Sequence, residues 1–119
     1  MPLLGEIRLF AGNYAPVGWA FCNGQLVSIA SNSALFSIIG TTYGGDGTTS
    51  FALPDLRGRI AMHAYSDRPL GTQGGRSDLA ATTVAAGDGA TVAAAAGNEQ
   101  PFLTLNFIIA VVGDFPPRG

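Results

Sequence analysis

The chain has 119 residues, of which 12% are charged and 47% are hydrophobic, and its formal net charge is −2. A chain of this length forms one domain that buries roughly two-thirds of its unfolded surface. The few basic residues form no footprint for nucleic acid, and no apolar run approaches the roughly 18 residues that span a bilayer. Composition therefore predicts a single domain that binds no nucleic acid and does not insert into a membrane.

The low charge also bears on self-association. So few charged side chains leave a lone monomer short of solvating groups. Either much of the surface is uncharged but polar, or part of it is buried against other copies. The second alternative is favoured, because oligomeric interfaces are depleted in charge. No secretory signal is visible in MPLLGEIRLF, so an extracellular protein of this sequence would need lysis or dedicated export.

The N-terminal part alternates short strand patterns with turns. The stretch EIRLFA places Ile7, Leu9 and Ala11 on one face, which predicts a half-buried strand. In WAFCNGQLVSI, Asn23-Gly24 lies between two strand-like runs, and both residue types tolerate a type I′ turn. A β-hairpin is therefore predicted there.

The next stretch, SNSALFSIIG, changes to a helical period. Its apolar residues share one helical face: Ala34, Leu35, Ile38 and Ile39. Ser31 or Asn32 can cap the start and Gly40 can close the end, so a helix of about two turns is predicted. The glycine-rich loop GTTYGGDGTTS follows. It superficially resembles a phosphate cradle, but a P-loop requires a lysine, which this chain lacks. Asp46 alone cannot hold calcium.

The C-terminal stretch FLTLNFIIAVVGDFPPRG is apolar on both faces. One face carries Leu103, Leu105, Phe107, Ile109 and Val111, and the other carries Phe102, Ile108 and Val112. This pattern predicts a central strand covered on both sides. The fold class is therefore α+β, mainly β: a small single domain with an Asn-Gly hairpin, one short helix and a central C-terminal strand.

Between these parts lies LAATTVAAGDGATVAAAA, residues 79–96, with similar runs on both sides of Gly87-Asp88-Gly89. One alternative is a flexible low-complexity insert. The other is a hairpin of small side chains, whose faces another chain can approach closely. The second alternative assigns self-association to four residues: Thr82, Val84, Thr91 and Val92.

Catalysis and metal binding are limited by residue counts. One histidine, His63, and one cysteine, Cys22, cannot supply the usual zinc ligands. A Cys22–His63 dyad is arithmetically available, but Cys22 lies in a predicted strand and is interpreted as a small apolar filler. His63 is interpreted as solvated or in the core, with a site on a symmetry axis as the alternative. We predict no catalytic residue, no metal site and no cofactor.

The stretch FALPDLRGRIAMH contains two closely spaced arginines. In an extended backbone, Asp55, Arg57 and Arg59 share one face. A carboxylate two residues from an arginine favours an internal ion pair, or arginine bonds to loop carbonyls, over an anion-binding site. We therefore predict that Asp55, Arg57 and Arg59 form a structural fastener.

Three aromatic residues are candidates for a ligand or interface surface. Trp19 is expected to be part of the core, since it is the largest side chain in a small domain. If Trp19 were exposed together with Tyr14 and Tyr65, the three would favour a platform for a receptor or a glycan.

Residues 5–63 resemble the phage tail collar domain, and GWAFCNGQ together with LPDLRGR makes the resemblance specific. LTLNFIIAVVGDFP resembles the closing strand of the same proteins, including microcystin-dependent proteins. The resemblance implies a small β-rich, non-enzymatic module of tail fibres or injection systems, working as a homo-oligomer and often as a trimer. Family members usually carry a longer segment before the closing strand, often with a metal-binding His-x-His pair. Residues 79–98 contain no histidine, so no metal site carries over.

The expected organisation is a collar-like domain over residues 1–78, an insert over 79–98, and a closing strand with a short tail over 99–119. The expected function is a structural module that associates with copies of itself, as a trimer or an open filament, in a virion tail or an extracellular assembly. The alternative is an attachment module that binds a cell-surface receptor or glycan.

Overall fold

A computed structural model of the chain describes residues 1–75 and 101–118. Within them the elements are β1 (Ile7–Phe10), β2 (Trp19–Phe21), β3 (Leu26–Ser28), α1 (Ser33–Ile39), β4 (Ser50–Ala52) and β5 (Asn106–Ala110). The predicted fold class, α+β and mainly β, is confirmed.

The chain divides into two compact units, Met1–Thr72 with Leu105–Gly119 and Gln73–Thr104. All the elements named above belong to the first unit. The residues predicted for self-association lie outside the described residues: Thr82, Val84, Thr91 and Val92.

Strand β5 is the middle strand of a three-stranded antiparallel sheet with the order β1-β5-β2. Ile7 of β1 and Ala20 of β2 both lie opposite Ile109. Ile108 and Ile109 are both buried although they point to opposite faces of the sheet. The prediction of a central C-terminal strand covered on both sides is therefore confirmed for Asn106–Ala110. The predicted strand was too long, because Phe102, Leu103, Leu105 and Val112 lie outside β5 and are exposed.

The second sheet has two strands, β3 and β4, and it corrects the predicted hairpin. Strands β2 and β3, which flank Asn23-Gly24, belong to different sheets and do not pair with each other. Gly24 has a φ of 73°, but Asn23 does not have a positive φ, so the turn is not type I′. The hairpin prediction is wrong, because β5 occupies the position beside β2. The Asn-Gly turn instead carries the chain from one sheet to the other.

Helix α1 forms where the helical period predicts it. Asn32 occupies the N-cap position, and its side-chain amide donates to the Ser28 carbonyl at 3.0 Å instead of capping the helix. Gly40 has a φ of 54° and donates its N–H to the Phe36 carbonyl at 2.8 Å, which ends the helix. Leu35 is buried.

The core is built from both sheets, the helix and the N-terminal segment. Its buried apolar residues are Leu4, Cys22, Leu35, Phe51, Leu53 and Ile109. Phe36 packs on Phe51 with ring centroids 5.2 Å apart. The core cluster contains no residue of β1. The predicted half-buried face of this strand is therefore open, with Ile7 39% and Leu9 59% exposed.

The N-terminal segment lies against the residues after β5. Leu4 donates its N–H to the Asp114 carbonyl at 2.9 Å, and Asp114 donates to the Pro2 carbonyl at 2.8 Å. A Cβ on Gly113 would lie 2.3 Å from the Pro2 carbonyl oxygen, so the close approach requires glycine.

Candidate functional site

The backbone after Asp55 forms a turn. Arg59 donates its N–H to the Leu56 carbonyl at 3.2 Å, and Gly58 has a φ of 64°. The extended backbone on which the shared face of Asp55, Arg57 and Arg59 was argued is therefore not present. The turn, rather than strand alternation, brings Arg57 and Arg59 to one carboxylate.

Asp55 is bound by both arginines. Arg57 Nε lies 2.9 Å from Asp55 Oδ1 and its Nη2 lies 2.8 Å from Oδ2, a bidentate pair. The Arg57 N–H also donates to Oδ1 at 3.2 Å. Arg59 Nη1 donates to the Asp55 carbonyl at 3.0 Å and lies 3.5 Å from Oδ2. The ion pair and the carbonyl bond, the two alternatives drawn from the sequence, are both present.

Electrostatics follow this geometry. The hydrogen bond from the Arg57 guanidinium holds the pKa of Asp55 well below its usual range, and the same bond raises the pKa of Arg57. The Arg57 side chain is 67% exposed and that of Asp55 is 23% exposed. Because water screens an exposed pair, its contribution to stability is small. That the pair fastens the turn stays a prediction.

The turn joins the two stretches on which the family resemblance depends. Gly24 donates its N–H to the Pro54 carbonyl at 3.1 Å, and Leu56 donates to the Cys22 carbonyl at 2.9 Å. A Cβ on Gly24 would lie 3.0 Å from the Asp55 Cβ, so the two chains are closely packed there. GWAFCNGQ and LPDLRGR thus form one connected structure.

Asp46 has a comparable role that the sequence did not reveal. Its Oδ1 accepts N–H groups from Thr48, Thr49 and Ser50 at 2.8, 2.9 and 3.0 Å. These bonds, with that from Ser50 foremost, hold the pKa of Asp46 well below its usual range. The N–H groups that an anion would need are already bonded to this carboxylate. The sequence signal for these bonds was the order Asp-Gly-Thr-Thr, since an aspartate side chain often accepts backbone N–H groups that follow it in a turn.

Two of the aromatic candidates, Tyr14 and Trp19, lie near opposite ends of β5. Trp19 is half-buried and lies outside the core cluster, in contrast to the prediction. The Arg8 guanidinium carbon lies 5.2 Å from the centroid of the Trp19 ring, a cation–π arrangement.

Tyr14 is 65% exposed and packs edge-on against Phe10, with centroids 5.9 Å apart. Phe10 lies opposite Asn106, and Trp19 lies opposite Ala110. These positions are at opposite ends of β5, about 13 Å apart. Tyr65 is 51% exposed, in a turn where it exchanges backbone hydrogen bonds with Arg68.

Cys22 and His63 lie in different environments. Cys22 is buried, which confirms its interpretation as an apolar filler, and burial raises the pKa of its thiol to about 11. His63 is exposed. Among residues 1–75 and 101–118, no three His, Cys, Asp or Glu side chains come together as a metal site. In the same part of the chain, no helix has the length and hydropathy of a membrane span.

The two small sheets, the short helix and the turn fastened by Asp55 define a β-rich structural module. Residues 5–61, just under half of the chain, match the family model of the Phage Tail Collar Domain. This part of the chain is similar to that family, and the resemblance drawn from the sequence is confirmed. The family is structural and is not known for enzymatic activity, so the chain carries a structural module of the phage-tail type. A comparison with curated proteins found no match.

Proposed function

We propose that this protein associates with copies of itself into a homo-oligomeric fibre, tail or extracellular filament. The observation that carries the proposal is the apolar surface of the first unit. Its large exposed apolar side chains include Leu3, Leu9, Val17, Ile60, Met62 and Phe115. With only 12% charged residues in the chain, burying this surface between copies removes apolar area from water.

The insert over residues 79–98 is proposed to contribute to the same association. Between Leu79 and Gly97 its only charge is Asp88. Small side chains let a neighbouring backbone approach to strand-pairing distance, about 4.8 Å. A rotation that closes gives a ring such as a trimer, and one that does not close gives a filament.

Light scattering of the purified chain over a range of concentrations tests the proposal. We expect a species of at least twice the 12.1 kDa chain mass. A chain lacking residues 80–96 should form smaller or less stable assemblies. A monomer at every concentration would overturn the proposed self-association. An unchanged assembly in the deletion variant would remove only the insert from the interface.

The alternative function is attachment to a cell-surface receptor or glycan, and the exposure of Tyr14 and Tyr65 favours it. Aromatic rings exposed in this way can stack on sugar rings. A glycan array comparing the natural chain with Tyr14→Ser and Tyr65→Ser tests this function. Binding that both substitutions abolish would support it, and the absence of binding by the natural chain would count against it.

A further inference from the structure

The outer edges of β1 and β2 use their backbone groups differently. Ala110 donates its N–H to the Glu6 carbonyl at 2.9 Å. This bond shows which residues of β1 form hydrogen-bonded pairs with β5 and which do not. In an antiparallel sheet, each residue directs both its N–H and its C=O group to the same side of its strand. Successive residues alternate between the two sides. Arg8 therefore directs its backbone groups to β5, whereas Ile7 and Leu9 direct theirs to the open side of the sheet.

The outer edge of β2 is partly occupied by bonds within the chain. Cys22 donates its N–H to the Phe107 carbonyl at 3.0 Å, so Trp19 and Phe21 face away from β5. The Trp19 N–H is bound by the Pro16 carbonyl at 2.9 Å. The Phe21 carbonyl accepts a hydrogen bond from Gln25 Nε2 at 2.9 Å. This edge has few groups left for another strand.

The outer edge of β1 has no comparable protection. Within residues 1–75 and 101–118, the outward N–H and C=O groups of Ile7 and Leu9 have no hydrogen-bond partner. Both side chains are exposed as well. Monomeric proteins usually block such an edge with lysine, proline or a bulge. Strand β1, with the sequence IRLF, contains neither lysine nor proline, and the bulge in which Gly5 and Glu6 both bond Ala110 lies before it.

We propose that this edge pairs with β1 of a second copy, in antiparallel orientation around Ile7. The proposal rests on the self-association proposed above and names the surface that carries it. The pair would form one continuous sheet of six strands, three from each copy. A twofold axis would pass between the two Ile7 residues, so this contact is self-complementary and by itself gives a dimer; a larger assembly needs a second contact elsewhere on each copy.

Charge complementarity selects the second copy and the register. With Ile7 opposite Ile7, Glu6 of each copy lies opposite Arg8 of the other. These are positions without ladder bonds, where Cα atoms are about 4.5 Å apart and side chains are closest. Within one chain, Arg8 Nε already lies 2.6 Å from Glu6 Oε2. The four charges then alternate in sign around the axis. A shift that centres the pair on Arg8 would place two arginines opposite each other, which is unfavourable.

Ile7→Pro tests the edge. Proline removes the outward N–H of Ile7 and leaves the N–H groups that bond β5 in place. The matched control is Leu26→Pro in β3, since Leu53 donates its N–H to the Gln25 carbonyl and Leu26 therefore directs its own N–H outward. Leu26 is 63% exposed. We expect Ile7→Pro to weaken dimerisation at least about tenfold, as measured by analytical ultracentrifugation, and Leu26→Pro to leave it unchanged.

Paired charge variants test the register without changing the backbone. Glu6→Arg gives a chain with positive charges at both positions 6 and 8, and Arg8→Glu gives a chain with negative charges at both positions. We expect neither to dimerise alone and a one-to-one mixture to form the heterodimer, as detected by native mass spectrometry. This test holds even if Ile7→Pro fails to fold.

The outcomes separate the two proposals. A natural chain that is monomeric at all concentrations overturns both of them. If the natural chain associates, but a folded Ile7→Pro variant associates equally well, only the β1 pairing is wrong. A charge-variant mixture that forms no heterodimer likewise overturns the pairing around Ile7.

Discussion

The N–H of Gly24 donates to the carbonyl oxygen of Pro54 at 3.1 Å and joins the two most characteristic stretches of the sequence. The bond lies where the chain leaves β2 for the other sheet, and where the buried end of β4 gives way to the arginine turn. Gly24 has a φ of 73°, which favours glycine, and Pro54 restricts the backbone angles of the residue before it. The backbone geometry around this bond therefore depends on both residue types.

Gly45 should tolerate no side chain. A Cβ there would lie 2.4 Å from Phe51 Cα, and its φ is 95°. We expect Gly45→Ala to lower the free energy of unfolding by about 3 kcal/mol or more in urea denaturation, because the clash is with backbone. Gly58→Ala is the control, since Gly58 has a φ of 64° but no atom within 4 Å of an added Cβ. It should cost about 1–2 kcal/mol, the strain of the left-handed backbone alone. Equal effects would contradict the clash.

Removing the fastener should loosen the turn. We expect Asp55→Ala to lower the melting temperature more than Arg57→Ala, because Asp55 accepts bonds from both Arg57 and Arg59. Differential scanning calorimetry measures both shifts. If Arg57→Ala left melting unchanged and abolished binding of an anionic ligand, the pair would be a binding site instead.

Stability should fall in acid. The folded pKa values of Asp46 and Asp55 lie below the unfolded value of about 3.9. Their contribution is therefore present above about pH 4 and is lost as the pH falls toward the folded values. We expect the melting temperature to decrease below about pH 4. Asp46→Asn should reduce this dependence, and an identical acid profile in that variant would show that Asp46 does not contribute.

Cys22 should be protected from thiol reagents in the folded protein. The thiol is buried and its pKa is about 11, so little thiolate forms near neutral pH. Labelling with a chromogenic disulfide should be slow in buffer and fast in urea. Because the folded pKa lies above the unfolded one, stability should also fall as the pH rises from about 9 toward 11. Rapid labelling of the native protein would show that the thiol is accessible.

Chelators should not affect folding. The chain has one histidine and one cysteine, which cannot supply a zinc site within one copy. We expect EDTA to leave the melting temperature unchanged. A decrease of several degrees would indicate a site shared between copies.

Local patterns were sufficient where one segment decides its own structure. The helical period and Gly40 located α1, and the run of apolar residues located β5 as a central strand. The Asp55–Arg57 contact was predictable because the two residues are only two positions apart in the sequence.

Features that depend on distant segments were not predictable. Asn23-Gly24 has the composition of a hairpin turn, but β5 competes for the edge of β2 from the far end of the sequence. Trp19 was expected in the core because of its size, whereas Arg8 covers its ring. The bonds to Asp46 depend on a loop shape that glycine-rich sequences permit but do not specify.

The place of β5 in the sheet also sets the order in which the protein can fold. Strands β1 and β2 are made before β5 on the ribosome, and neither has its neighbour until residues 106–110 are synthesised. Ile7 must then meet Ile109, which lies more than a hundred residues later in the sequence. Closing so long a loop makes folding slow. Until synthesis reaches β5, a nascent chain carries two strands without the neighbour they share, and it depends on β5 to pair one edge of each.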